Sequence, residues 1–231
     1  IIEEFLKKTI NLQFLKDKLI LEIGCGAGGL LNFFKKKGYE TLGCDFSNIN
    51  LNYGIKKNNL KLFYGGLEVL MEELKQNNLE IGLIIYEQVF EHLIDIKKEL
   101  SLLKSIMSKN TLLYISVPGL REIHRHYNND LLLFLQFPHL IHYDLQHLEM
   151  MLKVSSFKLI SGNEEVQAIF KVDEELEIEN IKFHRNSKLI NYLRHIEKKR
   201  KMFSPITKLN RLIIKIKIKI YKFLERVKKL V

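Results

Sequence analysis

The chain is poor in cysteine and proline and lacks long apolar runs. Its 231 residues include two cysteines, Cys25 and Cys44, three prolines and no tryptophan. Two cysteines cannot build a disulfide framework, so we expect a reducing compartment, the cytoplasm. No run of about eighteen apolar residues occurs, so no transmembrane helix is expected. The content of 46% hydrophobic and 28% charged residues is typical of a soluble domain, here with an appendage.

The positive charge of the chain is concentrated at its C-terminal end. The net charge is +10, and residues 197–231 hold thirteen basic and two acidic residues, a balance of +11. Residues 1–196 hold 24 basic and 25 acidic residues, a balance of −1. Any argument from charge about binding partners therefore concerns the tail alone.

A glycine-rich turn near the N-terminus organises the sequence around it. The apolar run 19–23 leads into GCGAGG at residues 24–29, and an amphipathic segment follows. This order predicts a buried strand, a tight turn and a helix, whose free N–H groups can face a ligand. A second apolar strand ends in Asp45, about twenty residues on, where a carboxylate can accept hydrogen bonds from ribose hydroxyls.

The turn alone allows more than one nucleotide cofactor. Gly24, Gly26 and Gly29 satisfy the pattern G-x-G-x-x-G, which is found in nicotinamide-dependent oxidoreductases with a Rossmann domain. That enzyme class is one alternative. A tight turn followed by a helix-capping Asp45, with no ligand, is another.

Two stretches of sequence resemble a known family. LEIGCGAG at residues 21–28 and GCDFS at residues 43–47 resemble the class I S-adenosylmethionine (SAM)-dependent methyltransferases. The resemblance covers residues 15–172. It implies an α/β fold with a doubly wound, seven-stranded, mostly parallel Rossmann-like sheet, whose last strand is antiparallel. We expect residues 1–172 to form this domain and residues 173–231 to form a basic helical extension.

The resemblance also implies which residues hold SAM. Phe46 is expected against the adenine ring, with ordinary core packing as the alternative. Many relatives place Asp after the third strand, whereas this chain has Gly65, Gly66 and Leu67, so Glu68 is the candidate substitute. The predicted cofactor-binding residues are Glu22, Gly24, Cys25, Gly26, Gly28, Asp45, Phe46, Glu68 and Gln88.

A third motif follows the fourth strand. The sequence EQVFEHLID at residues 87–95 resembles the segment of one methyltransferase subgroup that lies beside the methyl donor. Gln88 and Glu91 are therefore expected close to the chemistry. His92 is a candidate general base, because its unperturbed pKa lies near neutrality; bracing of the loop is the alternative.

Segment 120–143 is rich in histidine and aromatic residues. We expect it to form a pocket for an anionic or hydroxylated substrate, with a solvated lid as the alternative. It contains no cysteine and no clear carboxylate partner set for its histidines, so no metal is expected. His124 and His126 join His92 as candidate catalytic bases. The predicted substrate-binding residues are Glu91, Arg121, Tyr127, His139, His142 and Tyr143.

The tail suggests where the protein acts. Residues 181–231 predict two helical pieces broken near Ser204 and Pro205, and the alternation of Ile and Lys at 214–220 also allows a strand. A basic helix on an anionic membrane surface is one interpretation, and a solvated or partner-packed helix is the other. We expect a peripheral place on the inner membrane face.

The expected reaction is methyl transfer from SAM, most simply to an oxygen of a small-molecule, glycan or lipid-linked acceptor. A nucleic-acid methyltransferase or binding protein using the basic tail is a further alternative. The chain lacks an Asn-Pro-Pro-Tyr-like motif after the fourth strand, where relatives acting on exocyclic amines carry one. Nucleic acid is therefore not the expected partner.

Overall fold

The apolar runs of the sequence form a seven-stranded sheet in a computed structural model of the chain. The strands follow the order β3-β2-β1-β4-β5-β7-β6. The first five pair in parallel, and β7 pairs antiparallel with both β5 and β6. The predicted doubly wound, mostly parallel sheet is thereby confirmed. The strands are β1 (Leu19–Ile23), β2 (Glu40–Asp45), β3 (Leu62–Tyr64), β4 (Ile81–Glu87), β5 (Leu112–Ser116), β6 (Phe157–Gly162) and β7 (Gln167–Val172).

The structure describes residues 2–9, 12–75, 80–176, 186–202, 209 and 212–218. The chain divides into two units. The first contains Ile1–Leu120 and Phe137–Phe183, and the second contains Arg121–Gln136 and His184–Val231. The predicted boundary between residues 172 and 173 stays a prediction.

The central strands are buried on both faces. All five residues of β1 are buried, and successive residues enter different apolar clusters, with Leu21 in one and Ile20 in the other. This double burial is typical of parallel strands covered by helices on both sides of a sheet. It explains why the sequence shows continuous apolar runs here instead of an alternating pattern.

Side-chain caps begin several of the helices. Ser47 accepts a hydrogen bond from Asn50 N, and Asp144 accepts one from His147 N. The helices are α1 (Ile2–Thr9), α2 (Gly29–Lys36), α3 (Asn48–Asn58), α4 (Leu67–Leu74), α5 (Ile96–Ile106), α6 (Ile123–His126), α7 (Leu131–Phe134), α8 (Leu145–Lys153) and α9 (Ser187–Met202).

The second unit joins residues 121–136 of the histidine-rich segment to the chain beyond residue 183. Helix α7, capped by Asp130, packs against α9, and the Tyr192 hydroxyl donates to the carbonyl of Arg121 at 2.9 Å. Helix α9 is the first of the two predicted helical pieces. The predicted break near residues 204–205 lies outside the described residues.

The Ile- and Lys-rich part of the tail is helical where it is described. Residues 212–218 form helix, not the strand that their alternation also allowed. The isoleucines at 213, 214, 216 and 218 are all exposed. Among the described helices, none combines the length and the apolar character needed to cross a bilayer.

Candidate active site

The turn between β1 and α2 uses three glycines in the left-handed region. Gly24, Gly26 and Gly28 have φ angles of 70°, 55° and 70°. A Cβ atom at Gly24 would lie 2.3 Å from a methyl group of Val89, and one at Gly28 would lie 2.5 Å from a methyl group of Leu60. A Cβ atom at Gly26 would meet nothing within 4 Å. The first and third glycines therefore permit close packing, whereas the middle one borders open space.

The acid at the end of β2 is tied to this turn. One carboxylate oxygen of Asp45 accepts a hydrogen bond from Gly26 N at 2.8 Å, and the other accepts one from Ser47 N at 2.7 Å. Each carboxylate oxygen has capacity for a further hydrogen bond. The arrangement holds an acceptor group beside the open space at Gly26, as the ribose role of Asp45 requires.

A second carboxyl group lies buried beneath the turn. Burial, with a smaller contribution from the negative charge of Glu87, raises the pKa of Glu22 to about 8. The backbone N–H of Leu31, in the first turn of α2, acts in the opposite direction. Burial also raises the pKa of Glu87, which accepts a hydrogen bond from the Ser116 hydroxyl. The raised pKa favours the protonated form of Glu22, and the cofactor contact predicted for Glu22 stays a prediction.

Both cysteines beside the turn are free and buried. Burial raises the pKa of the Cys44 thiol to about 12 and that of the Cys25 thiol further. A thiol with so high a pKa is a poor nucleophile, so neither is a catalytic candidate. The cofactor contact predicted for Cys25 stays a prediction.

The two residues expected near adenine differ in their surroundings. Phe46 is 73% exposed, and its ring lies edge-on to Tyr64 at 6.0 Å between centroids. Its alternative role in core packing is therefore wrong. The Glu68 carboxylate is 2.8 Å from the Lys98 ammonium on the surface, and this hydrogen bond lowers the pKa of Glu68. Its adenine contact stays a prediction, and forming it would require competition with Lys98.

The segment after β4 lies directly on the glycine turn. Gln88 adopts a φ of 56°, and its backbone N–H donates to the Ser116 carbonyl at 2.8 Å. The next residue, Val89, provides the methyl groups that fill the space beside Gly24. A 3₁₀ turn, Phe90–His92, follows. The segment thus packs against the glycine turn, and the predicted closeness of Gln88 and Glu91 to the methyl donor stays a prediction.

The side chains of Glu91, His92 and His139 converge beside the 3₁₀ turn Phe90–His92. We call these three residues the Glu91 cluster. The Glu91 side chain is 2% exposed, and one of its oxygens lies 3.9 Å from Nε2 of both histidines. Two backbone contacts join the two segments: Leu140 N donates to the Glu91 carbonyl at 2.8 Å, and His92 Nδ1 lies 2.9 Å from the Pro138 carbonyl oxygen. For His139, the expectation that the histidines of segment 120–143 have no carboxylate neighbour is therefore wrong.

Two further predicted substrate residues adjoin the cluster. The His142 ring lies 5.8 Å from the His139 ring. Tyr143 is buried, and burial, followed by the charge of Glu91, raises the pKa of its hydroxyl. Burial also lowers the pKa of His139, with the neighbouring histidines adding to the effect. The surroundings thus favour a neutral imidazole at His139, beside the enclosed Glu91 carboxyl group.

The remaining candidates belong to the second unit. His124 Nδ1 lies 3.2 Å from the Arg121 carbonyl oxygen and 3.3 Å from the Tyr192 hydroxyl, and the Tyr127 ring packs edge-on against Phe134. The catalytic roles predicted for His124 and His126, and the substrate contacts predicted for Arg121 and Tyr127, stay predictions.

The strand order of the sheet differs from that of a dinucleotide-binding domain. A doubly wound dinucleotide-binding sheet has the order 3-2-1-4-5-6, whereas an antiparallel β7 here stands between β5 and β6. The methyltransferase domain family matches residues 2–161, so the chain belongs to this family. The matched residues and the fold are those of a class I SAM-dependent methyltransferase domain, whose cofactor is SAM.

Similar proteins agree with this assignment. A SAM-dependent methyltransferase from Archaeoglobus fulgidus is 19% identical with a TM-score of 0.53, covering 86% of both chains. Magnesium protoporphyrin IX methyltransferase from Synechocystis PCC 6803, solved with bound SAH, is 14% identical with a TM-score of 0.52, covering 74% of this chain and 82% of that one. At these identities the two structures show a shared fold.

One curated relative is similar in sequence. The ubiquinone biosynthesis O-methyltransferase of Pelagibacter ubique (strain HTCC1062) is 29% identical over 105 residues, which are 44% of this chain. The match spans 42% of that relative's length.

Proposed function

We propose that the protein transfers the methyl group of SAM to an oxygen atom of a small-molecule, glycan or lipid-linked acceptor. The observation that carries the cofactor part is the Asp45 carboxylate, which lies 2.8 Å from Gly26 N beside open space. The oxygen acceptor is supported by the similarity to a ubiquinone O-methyltransferase and by the polar Glu91 cluster next to the turn.

The proposed cofactor contacts follow from the geometry of the turn. Asp45 would accept hydrogen bonds from the ribose hydroxyls, and Gly26 would let the cofactor approach the backbone. Phe46 would lie against adenine, since its ring is exposed at the same strand end. The segment of Gln88 would border the methyl donor.

The transfer needs alignment more than covalent catalysis. The acceptor oxygen attacks the methyl carbon in line, the carbon–sulfur bond breaks, and the sulfur keeps the electron pair, which gives S-adenosylhomocysteine. A hydroxyl acceptor also loses its proton. Holding two reactants in line is worth an effective molarity of roughly 10⁵ to 10⁸ M, so no nucleophilic triad is required.

The proton of a hydroxyl acceptor needs a destination. Of the three predicted bases, His92 lies in the same unit as the glycine turn, whereas His124 and His126 lie in the second unit. We therefore assign the handling of this proton to the neighbourhood of His92.

A membrane-linked acceptor is supported by the second unit and the tail. A groove of about 510 Å³ has apolar walls from Leu131, Ile190 and Leu193, and basic side chains at Arg194 and Lys198. Exposed isoleucines alternate with lysines along residues 214–218. Basic residues beside exposed apolar ones suit a surface that contains anionic lipids.

Calorimetric titration with SAM, S-adenosylhomocysteine and NADH tests the cofactor part. We expect micromolar binding of the first two ligands and none of NADH. Incubation with methyl-labelled SAM and panels of phenols, sugars and lipid-linked sugars then tests the acceptor. Label transferred only to nitrogen or carbon acceptors would contradict the proposed oxygen chemistry.

A further inference from the structure

The polar atoms of the Glu91 cluster lie close together without hydrogen bonding to one another. The three candidate ligand atoms, one each from Glu91, His92 and His139, all lie within 4.8 Å of one another. The carboxylate oxygen is 3.9 Å from each imidazole nitrogen, which is too long for a hydrogen bond. The three polar groups therefore surround a common point without bonding to each other.

The Glu91 carboxyl group is enclosed but unsatisfied. The residue is 1% exposed, and neither of its carboxyl oxygens has a hydrogen-bond partner in the part of the chain that the structure describes. A buried carboxylate without a partner is costly, so it either takes up a proton or meets a cation.

The orientation of His92 leaves one nitrogen directed at this carboxyl group. Its Nδ1 lies 2.9 Å from the Pro138 carbonyl oxygen, and a carbonyl oxygen can only accept. Nδ1 therefore carries the hydrogen, and in the neutral ring the lone pair belongs to Nε2, which faces Glu91. A backbone carbonyl that fixes the tautomer in this way is the usual support of a metal-ligating histidine.

His139 approaches the same point from another segment. Its side chain is only 8% exposed, and its Nε2 lies 3.9 Å from the Glu91 oxygen. It is carried there by the segment that Leu140 N pins to the Glu91 carbonyl. This backbone hydrogen bond holds the segment of His139 against the segment of Glu91, and it does not depend on a bound metal.

We propose that Glu91, His92 and His139 bind a divalent transition-metal ion of the zinc type. Two imidazole nitrogens and one carboxylate oxygen form a ligand set of catalytic zinc sites, which keep a fourth position open. Magnesium and calcium prefer oxygen ligands throughout, so this set disfavours them. Metal–ligand bonds of about 2.0–2.2 Å require the three groups to move inward by less than about one ångström each.

The open position would take the acceptor oxygen, an inference that rests on the proposed function. A bound ion lowers the pKa of a coordinated hydroxyl, so the proton would leave to water before the oxygen attacks the methyl carbon. With His92 as a ligand, the ion and not the free imidazole would promote this deprotonation.

Cobalt(II) titration of the metal-free full chain tests the site without any acceptor. We expect one ion to bind per chain, with the strong visible absorption of four-coordinate cobalt, and to be displaced by Zn²⁺. Glu91→Gln and His139→Ala should each weaken cobalt binding by at least about tenfold. His195→Ala, at an exposed position of α9, is the matched control and should bind as the parent does.

His92→Ala is included because the substitutions at Glu91 and His139 change buried side chains and can disturb the fold. The His92 side chain is 38% exposed, so its removal should leave the fold intact, as checked by circular dichroism and by SAM affinity. Absence of the cobalt spectrum in the parent, or an unchanged spectrum in the three cluster variants, would refute the metal site. Because SAM binding is measured separately, this failure would leave the methyltransferase assignment standing.

Discussion

The carboxylate of Asp45 lies 2.8 Å from the backbone nitrogen of Gly26, so the end of β2 is joined directly to the turn after β1. This contact positions an acid next to Gly26, where an added Cβ atom would meet nothing within 4 Å. It connects the two most informative motifs of the sequence in a single small site. Four predictions start from this site and from the features around it.

Asp45→Ala should weaken SAM binding by about 1.5–3 kcal/mol, or about 10- to 150-fold, through loss of a charge-assisted hydrogen bond. Calorimetric titration measures the change. Glu40→Ala is the control, because Glu40 is exposed at the opposite end of the same strand. Equal SAM affinity of the two variants would remove the ribose role from Asp45.

Comparing alanine at Gly26 with alanine at Gly38 distinguishes backbone strain from a steric clash with the cofactor. Gly26 and Gly38 both have positive φ angles, and neither has a neighbour within 4 Å of an added Cβ. Alanine at either position should cost about 1–2 kcal/mol of unfolding free energy, because a Cβ atom is unfavourable in this region. Only Gly26→Ala should also lower SAM affinity, by at least about tenfold, since the methyl group would occupy the cofactor's space. Similar affinities in both variants would show that no ligand lies against Gly26.

Phe46→Ala should lower SAM affinity with little effect on stability. The ring is 73% exposed, so its removal should change the free energy of unfolding by no more than about 0.5 kcal/mol. Loss of stacking should cost about 1 kcal/mol of binding, or about fivefold in affinity. Tyr53→Ala, at another exposed aromatic residue, is the comparison. If both variants bind SAM like the parent, the adenine lies elsewhere.

Glu22→Gln should flatten the dependence of stability on pH. The folded pKa of about 8 lies above the ordinary value of 4.5, so between these values the native state holds a proton that the unfolded state has released. The free energy of unfolding should then fall as the pH rises, by up to about 1.4 kcal/mol per pH unit, and level off above pH 8.

Glutamine imitates the protonated acid and cannot ionise, so the variant should gain stability over the parent from pH 5 to pH 8. Urea unfolding at several pH values measures this difference. Glu40→Gln, at an exposed position, should follow the parent. A constant difference between Glu22→Gln and the parent would mean that Glu22 is ionised throughout.

The sequence predicted the sheet well because each strand leaves a local signal. Buried parallel strands appear as continuous apolar runs, and the glycines and Asp45 mark the ends of β1 and β2. The caps Ser47 and Asp144 were also predictable, since capping depends on residues three positions apart.

The Glu91 cluster could not be predicted, because it depends on a long-range contact. Glu91 and His139 are separated by 48 positions in the sequence, and the hydrogen bond from Leu140 N to the Glu91 carbonyl brings their segments together. The second unit also depends on a long-range contact, because α7 and α9 come from distant parts of the chain. Neither pairing has a periodicity that a local pattern could reveal.

The two buried cysteines give the protein a built-in reporter. Cys25 belongs to the glycine turn, and its backbone N–H donates to the Cys44 carbonyl at 2.9 Å. Since the sequence contains no other thiols, the rate at which a thiol reagent modifies the native chain measures how often this region opens. A ligand bound on the turn would slow that labelling in proportion to its occupancy, so cofactor binding can be followed without an acceptor or an engineered probe.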